Sequence, residues 1–133
     1  MKKLMQKSQT RQELLDNTVR HFNSTNRSLR NDASNVCLYR SEDGYGCAIG
    51  REISDELAEK LNLVSFGSVI NTFSELPPRL RRFGMKFLCD VQILHDVLGY
   101  WDKSGLSYLG REAVKEICEE YQLKNPALIS DQN

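Results

Sequence analysis

The sequence predicts a small α+β domain, mostly helical, with one β-hairpin packed on a long central helix. Three observations predict it. Phe83, Phe87, Val91, Leu94 and Leu98 recur at helical spacing in the second half of the chain. Asp43-Gly44 lies between two short runs of β-branched and aromatic residues, which is a hairpin pattern. Capping signals open helices near both ends, at Thr10 and at Ser107. The 133 residues fit a single domain, 1–133, with 1–9 and 124–133 as loose tails. A chain of that length buries roughly two-thirds of the surface it exposes unfolded, enough for a core without staples. An apolar fraction of 40% beside 27% charged residues is a globular composition and not a disordered one.

Thr10 and Glu13 form a capping box, and Leu15, Val19 and Phe22 follow at helical steps, which predicts a first helix over 11–23. Asn23 to Asn35 is nearly all polar and reads as a loop, long for so small a domain. Val36–Arg40 and Cys47–Gly50 are the expected strands of the hairpin. Ser54-Asp55-Glu56 opens a short helix carrying Leu57 and Leu61. Val64 to Leu76 has no clean period, with Phe66, Val69, Ile70 and Phe73 expected to dip into the core. Pro77-Pro78 suits a helix start, so the long helix is expected from Pro78 to Leu98.

Met85, Cys89 and Ile93 fall on roughly the opposite side of that long helix. A helix apolar on two sides is central to its domain or shared with a second copy of the chain, and a homo-oligomer is the expectation. Gly99 ends the helix, and Tyr100 to Gly105 forms an aromatic-tipped loop. Ser107 caps a last helix through Gln122 that presents Leu109, Ala113, Ile117 and Tyr121 inward, and Asn125-Pro126 stops it.

Charge and cysteine usage bound the partners. The 18 basic and 18 acidic residues cancel, so the chain lacks the global field that draws proteins onto nucleic acid or anionic membrane. The N-terminal residues lack a signal-peptide apolar core, and no stretch approaches the ~20 apolar residues of a membrane span. Cys37, Cys47, Cys89 and Cys118 then read as reduced thiols, and the expected location is cytoplasmic.

Several residues suggest chemistry. Cys37 and Cys47 resemble half a zinc site, but the turn register sets them on opposite faces of the hairpin unless a bulge intervenes. With no Cys-x-x-Cys or His-x-x-x-His beside them, buried thiols are the simpler expectation, and neither a metal nor a cofactor is expected. Cys47 and His95 could form a thiol nucleophile and its base, though only pairing in space would make them one. Arg79, Arg81, Arg82 and Lys86 cluster where the long helix starts. Guanidinium forks and a helix N-terminus both favour phosphate there, although a solvated face is the commoner outcome for such a run. Tyr39, Arg40, Tyr45, Arg51, Tyr100 and Trp101 are aromatic and cationic groups on or near expected loops, where bases stack or partners dock. Tyr39, Arg40, Arg51, Arg79, Arg82 and Trp101 form the expected ligand-binding set.

Two blocks carry a resemblance. Cys37-Leu38-Tyr39-Arg40, Asp43-Gly44 and Cys47-Ala48-Ile49-Gly50 make the first. Leu88, Val91-Gln92, His95-Asp96, Trp101, Gly105-Leu106-Ser107 and Gly110 make the second. Together they resemble a family of small, mostly uncharacterised proteins encoded by tailed phages and prophages, over Leu14 to Tyr121. This chain departs from the family at Gly84, where a better helix former is usual, and in its longer segment ahead of the prolines. The resemblance implies a phage accessory protein. Phage genes of this size often encode counter-defence factors, some of which sequester cyclic nucleotide or ADP-ribose signals of host immunity.

The expectation is therefore a non-enzymatic binding protein for an anionic nucleotide signal or a host defence protein. A hydrolase of such a signal, using Cys47 or His95, is the second reading. A nucleic-acid-binding regulator is the third, disfavoured by net neutrality.

Overall fold

In the computed structural model, which describes residues 6–26, 39, 46–65 and 69–127, helix α1 (Arg11–His21) begins at the expected cap. Thr10 Oγ1 accepts the Glu13 N–H at 3.0 Å, and the Glu13 carboxylate reaches back to the Gln9 N–H at 2.8 Å. Leu14, Leu15 and Val19 face the core. The backbone turns extended at Phe22, so the helix stops at His21 and not at Asn23. Helix α2 (Asp55–Ser65) is capped by Ser54, whose Oγ accepts the Leu57 N–H at 3.2 Å, and it buries Ala58 and Leu61. The single turn α3 (Val69–Thr72) and a 3-10 turn at Phe73–Glu75 lead to the prolines, with Val69, Thr72 and Leu76 buried. Phe66 lies outside the described residues.

The expected long helix is two helices. The turn α4 (Pro78–Arg81) ends at Arg82, and α5 (Met85–Asp96) starts after Gly84. Gly84 holds φ at +92°, a value L side chains rarely adopt, so the chain breaks where only glycine breaks it easily. The Phe83 carbonyl faces away from helical pairing and accepts instead from Arg11 Nε at 2.9 Å. Helix α5 packs against α1, α3 and the last helix, and is the centre of the domain. It buries Phe87, Leu88, Val91, Leu94 and His95. Leu98, expected on the same stripe, is exposed because the helix ends at Asp96.

The hairpin follows α5. A 3-10 turn at Leu98–Tyr100 leads into β1 (Trp101–Asp102), antiparallel to β2 (Gly105–Leu106) with Trp101 opposite Leu106. Trp101 is no loop tip. It is buried, and its Nε1 donates to the Leu94 carbonyl at 2.8 Å, fastening the hairpin to α5. The hairpin expected at 36–50 is described only at Tyr39 and from Gly46 onward; Val36 to Leu38 and Arg40 to Tyr45 lie outside the described residues. Cys47–Gly50 is not a strand. The Arg51 N–H donates to the Cys47 carbonyl at 3.0 Å, closing a turn that runs into the 3-10 turn Gly50–Glu52.

Helix α6 (Tyr108–Tyr121) opens at Ser107, whose Oγ accepts the Gly110 N–H at 3.2 Å, and ends at Gln122 in the left-handed region, φ 57°. Gly110 sets its rotation. A Cβ there would stand 2.1 Å from the Tyr100 carbonyl oxygen, so the helix meets the preceding turn at that glycine. Gly110, Val114, Ile117 and Cys118 face inward, whereas Leu109, expected inside, is 59% exposed. Among the described residues, no helix is long and apolar enough to cross a membrane.

Candidate functional site

The described residues of the first motif block, Tyr39 and Cys47–Gly50, meet the second block at α5. The Cys47 N–H donates to the Tyr39 carbonyl at 3.2 Å, and a Cβ on Gly50 would stand 1.9 Å from that same oxygen. The Ile49 N–H donates to Gln92 Oε1 at 3.3 Å, which ties the first block to α5. Gln92 Nε2 donates to Asp96 Oδ1 at 3.0 Å, and His95 Nδ1 lies 2.8 Å from the same oxygen. The His95 ring packs edge-on against Phe22, which also meets Trp101 and carries the Arg51 guanidinium over its face. Together these residues form an interior frame.

That placement decides how Cys47 and His95 can act. Both are fully buried. Cys47 Sγ accepts the Gly50 N–H at 3.2 Å. Burial pushes the Cys47 thiol up to about 12, against the opposing pull of that hydrogen bond. A catalytic thiol needs access and a lowered pKa, and Cys47 has neither. Cys37 lies outside the described residues. Among the described residues, no three His, Cys, Asp or Glu side chains converge as metal ligands would.

The expected ligand set does not assemble into a cleft among the described residues. Tyr39 is buried, with its hydroxyl on Thr72 at 2.5 Å, and desolvation raises its pKa. Arg79 is a crosslink. Its Nη1 donates to Glu52 Oε1 and to the Ser8 carbonyl, both at 2.8 Å, and its Nη2 donates to the Glu52 carbonyl at 2.6 Å. Glu52, itself buried, accepts the Ser8 N–H and Oγ–H at 2.7 Å, pinning the segment ahead of α1. Arg51 is half-buried and donates to Gln6 Oε1 at 2.9 Å, and desolvation lowers its pKa. Arg81 Nε donates to the Leu76 carbonyl at 3.0 Å. Lys86 bridges Asp90 and Glu120. Arg82 is exposed, and Arg40 and Tyr45 lie outside the described residues.

The opposite situation holds on the outer side of α5 and α6. Met85, Cys89, Ile93 and Val97 form one i, i+4 row along and just past α5, and Ile93 is 53% exposed. Leu98, Tyr108 and Leu109 are exposed near the start of α6. Between the helices runs an open groove of about 160 Å³. Ile93, Leu94, Tyr100, Ala113 and Ile117 line it together with the carboxylates Asp90, Glu116 and Glu120. Its size is below the roughly 300–1,000 Å³ of a small-ligand pocket.

The Met85–Cys89–Ile93 row was legible as the second apolar side of α5. Leu109, Tyr108 and the acidic lining were not. The step from Gly110 to Val114 and Cys118 marks an alternative inward stripe on α6 that would have turned Leu109 outward. No family model, curated protein or solved structure matches the chain.

Proposed function

We propose that this chain is a non-enzymatic binding protein of the tailed-phage accessory type, and that it engages a protein partner through the outer face of α5 and α6. The phage context rests on the two motif blocks. The mode of action rests on one observation. Among the described residues, the large apolar side chains left exposed, Met85, Ile93, Val97, Leu98, Tyr108 and Leu109, lie on these helices and the turn after α5. An exposed apolar surface of that kind, rimmed by charge, suits a protein partner. An anionic nucleotide is disfavoured there by Asp90, Glu116 and Glu120. Of the candidates for holding one, Tyr39, Arg51, Arg79 and Trp101 are engaged within the fold, whereas Arg82 is exposed and Tyr100 lines the acidic groove itself.

A photo-crosslinking residue at Ile93, introduced in chain expressed in the host cell, tests this directly. The expected result is one protein adduct, absent when Leu109→Lys is added and absent from a control crosslinker at exposed Glu59. Calorimetry with cyclic dinucleotides and cyclic ADP-ribose isomers should show no binding tighter than high micromolar. Tight binding of any of these, or their turnover, would return the protein to the nucleotide readings.

A further inference from the structure

We infer, resting on the protein-partner reading of the outer face of α5 and α6, that the groove there docks a basic amphipathic helix of a partner protein. The groove lies between two helices that each contribute apolar residues to its lining, Ile93 and Leu94 from α5 and Ala113 and Ile117 from α6, so a third helix laid along them would complete a helical packing layer. The volume of about 160 Å³ has room for anchoring side chains and not for a whole small ligand. Ile93 and Ala113 are the surfaces such anchors meet.

Charge then selects the helix. Three carboxylates line the groove, and Lys86, which pairs with Asp90 and Glu120, offsets only part of that charge. Glu116 is exposed and has no ion-pair partner among the described residues. Lys or Arg flanking the apolar stripe of a docked helix would meet Glu116 and, in competition with Lys86, Glu120. A second copy of this chain fits less well. A two-fold contact, groove on groove, sets Asp90, Glu116 and Glu120 near their own counterparts, and like charges disfavour such pairing.

The experiment is a fluorescence-anisotropy titration of the full chain with a stapled leucine–lysine amphipathic helix and with its leucine–glutamate counterpart. Light scattering of the chain alone runs beside it. The leucine–lysine helix should bind, more weakly as salt rises, and the leucine–glutamate helix should not. Glu116→Lys and Ile93→Lys should each weaken binding by about tenfold or more, with Glu116→Gln in between. Both positions are exposed, and unchanged near-ultraviolet circular dichroism would show that the variants keep their packing.

Equal binding of the two peptides, binding of neither, or indifference to both substitutions would overturn the inference. So would a dimer that Ile93→Lys dissociates, since the face would then belong to a second copy. If the basic helix fails while the Ile93 crosslinker still captures one protein, only the basic-helix assignment falls. Loss of both results removes the wider reading as well.

Discussion

Two regions of this molecule use similar residue types to opposite ends. In the interior frame, Tyr39, Cys47, Gln92, His95 and Trp101 are buried, and their polar atoms meet partners inside the fold. On the outer face of α5 and α6, Ile93, Tyr108 and Leu109 are exposed beside carboxylates that line an open groove. A buried polar group without a partner is costly, so residues that look chemically suggestive in sequence are often the ones a small core must satisfy. Exposed apolar side chains have no such structural need. The difference teaches that the family-like motifs encode architecture here, and that binding is better sought where the fold leaves apolar surface open.

The sharpest way to break that contrast is at Gly50. Gly50→Ala would set a Cβ 1.9 Å from the Tyr39 carbonyl, a backbone atom that cannot swing aside. A loss of about 3 kcal/mol or more is expected in chemical denaturation. Gly110→Ala is the companion. Alanine gains up to about 1 kcal/mol of helix propensity over glycine. The clash with Tyr100 at 2.1 Å should nevertheless make the change destabilising. Stabilisation by either substitution would show that the motif glycines do not bring these backbones together.

Next in size is the Arg79 crosslink. Arg79→Met leaves the buried Glu52 carboxylate with the Ser8 donors but without its hydrogen-bonded cation. Removing one member of a buried pair costs on the order of 3 kcal/mol or more. The measurement is again denaturant midpoint, with protease susceptibility of the Gln6–Gln9 segment as a second readout. If stability holds and anion binding falls, Arg79 is a ligand residue after all, as its sequence context suggested.

Alkaline titration sharpens the frame's side of the comparison. Cys47 is held neutral by burial, with its pKa raised from 9.0 to about 12, and Tyr39 is raised as well. Above about pH 9 the unfolded chain releases the thiol proton while the folded chain keeps it. The contribution is therefore fully present below that pH and is lost as pH climbs toward 12. Each such group takes up to about 1.4 kcal/mol per pH unit across its window. Thermal melts from neutral to alkaline pH should show this decline, and Cys47→Ala should make it shallower. An unchanged slope would mean that solvent reaches the thiol.

How much of this the sequence revealed depends on whether a signal is local. Caps at Thr10, Ser54 and Ser107 were legible because each motif and its partner lie within one turn. The Phe87–Val91–Leu94 stripe was legible too, yet the same period hid the break at Gly84. Phe83 would be buried inside a continuous helix and is buried at the kink, so apolar spacing alone ran straight through it. Long-range pairing stayed hidden. Nothing near Arg79 announces Glu52, and nothing near Trp101 in the chain's pattern announces the Leu94 carbonyl. Leu109 was misplaced because apolar spacing allows two stripes on α6, and the backbone contact at Gly110 that goes with the Val114–Cys118 stripe is not itself part of that spacing.

The smallest expected effect tests the outer face. Ile93→Ser and Leu109→Ser remove apolar side chains that are already more than half exposed, at 53% and 59%. Surface substitutions of this type fall within about 0.5 kcal/mol of the parent. Their denaturation curves should superimpose on the parent's, while Leu94→Ala, one helical position from Ile93 and buried, should lose about 2–5 kcal/mol. A loss above about 1 kcal/mol at Ile93 or Leu109 would mean that these residues hold the monomer together or are covered by a second copy under the conditions of measurement. Repeating the melts across protein concentration separates those two. A concentration-independent loss places the face within the core and ends its candidacy as a surface, whereas a concentration-dependent one reassigns it to self-association.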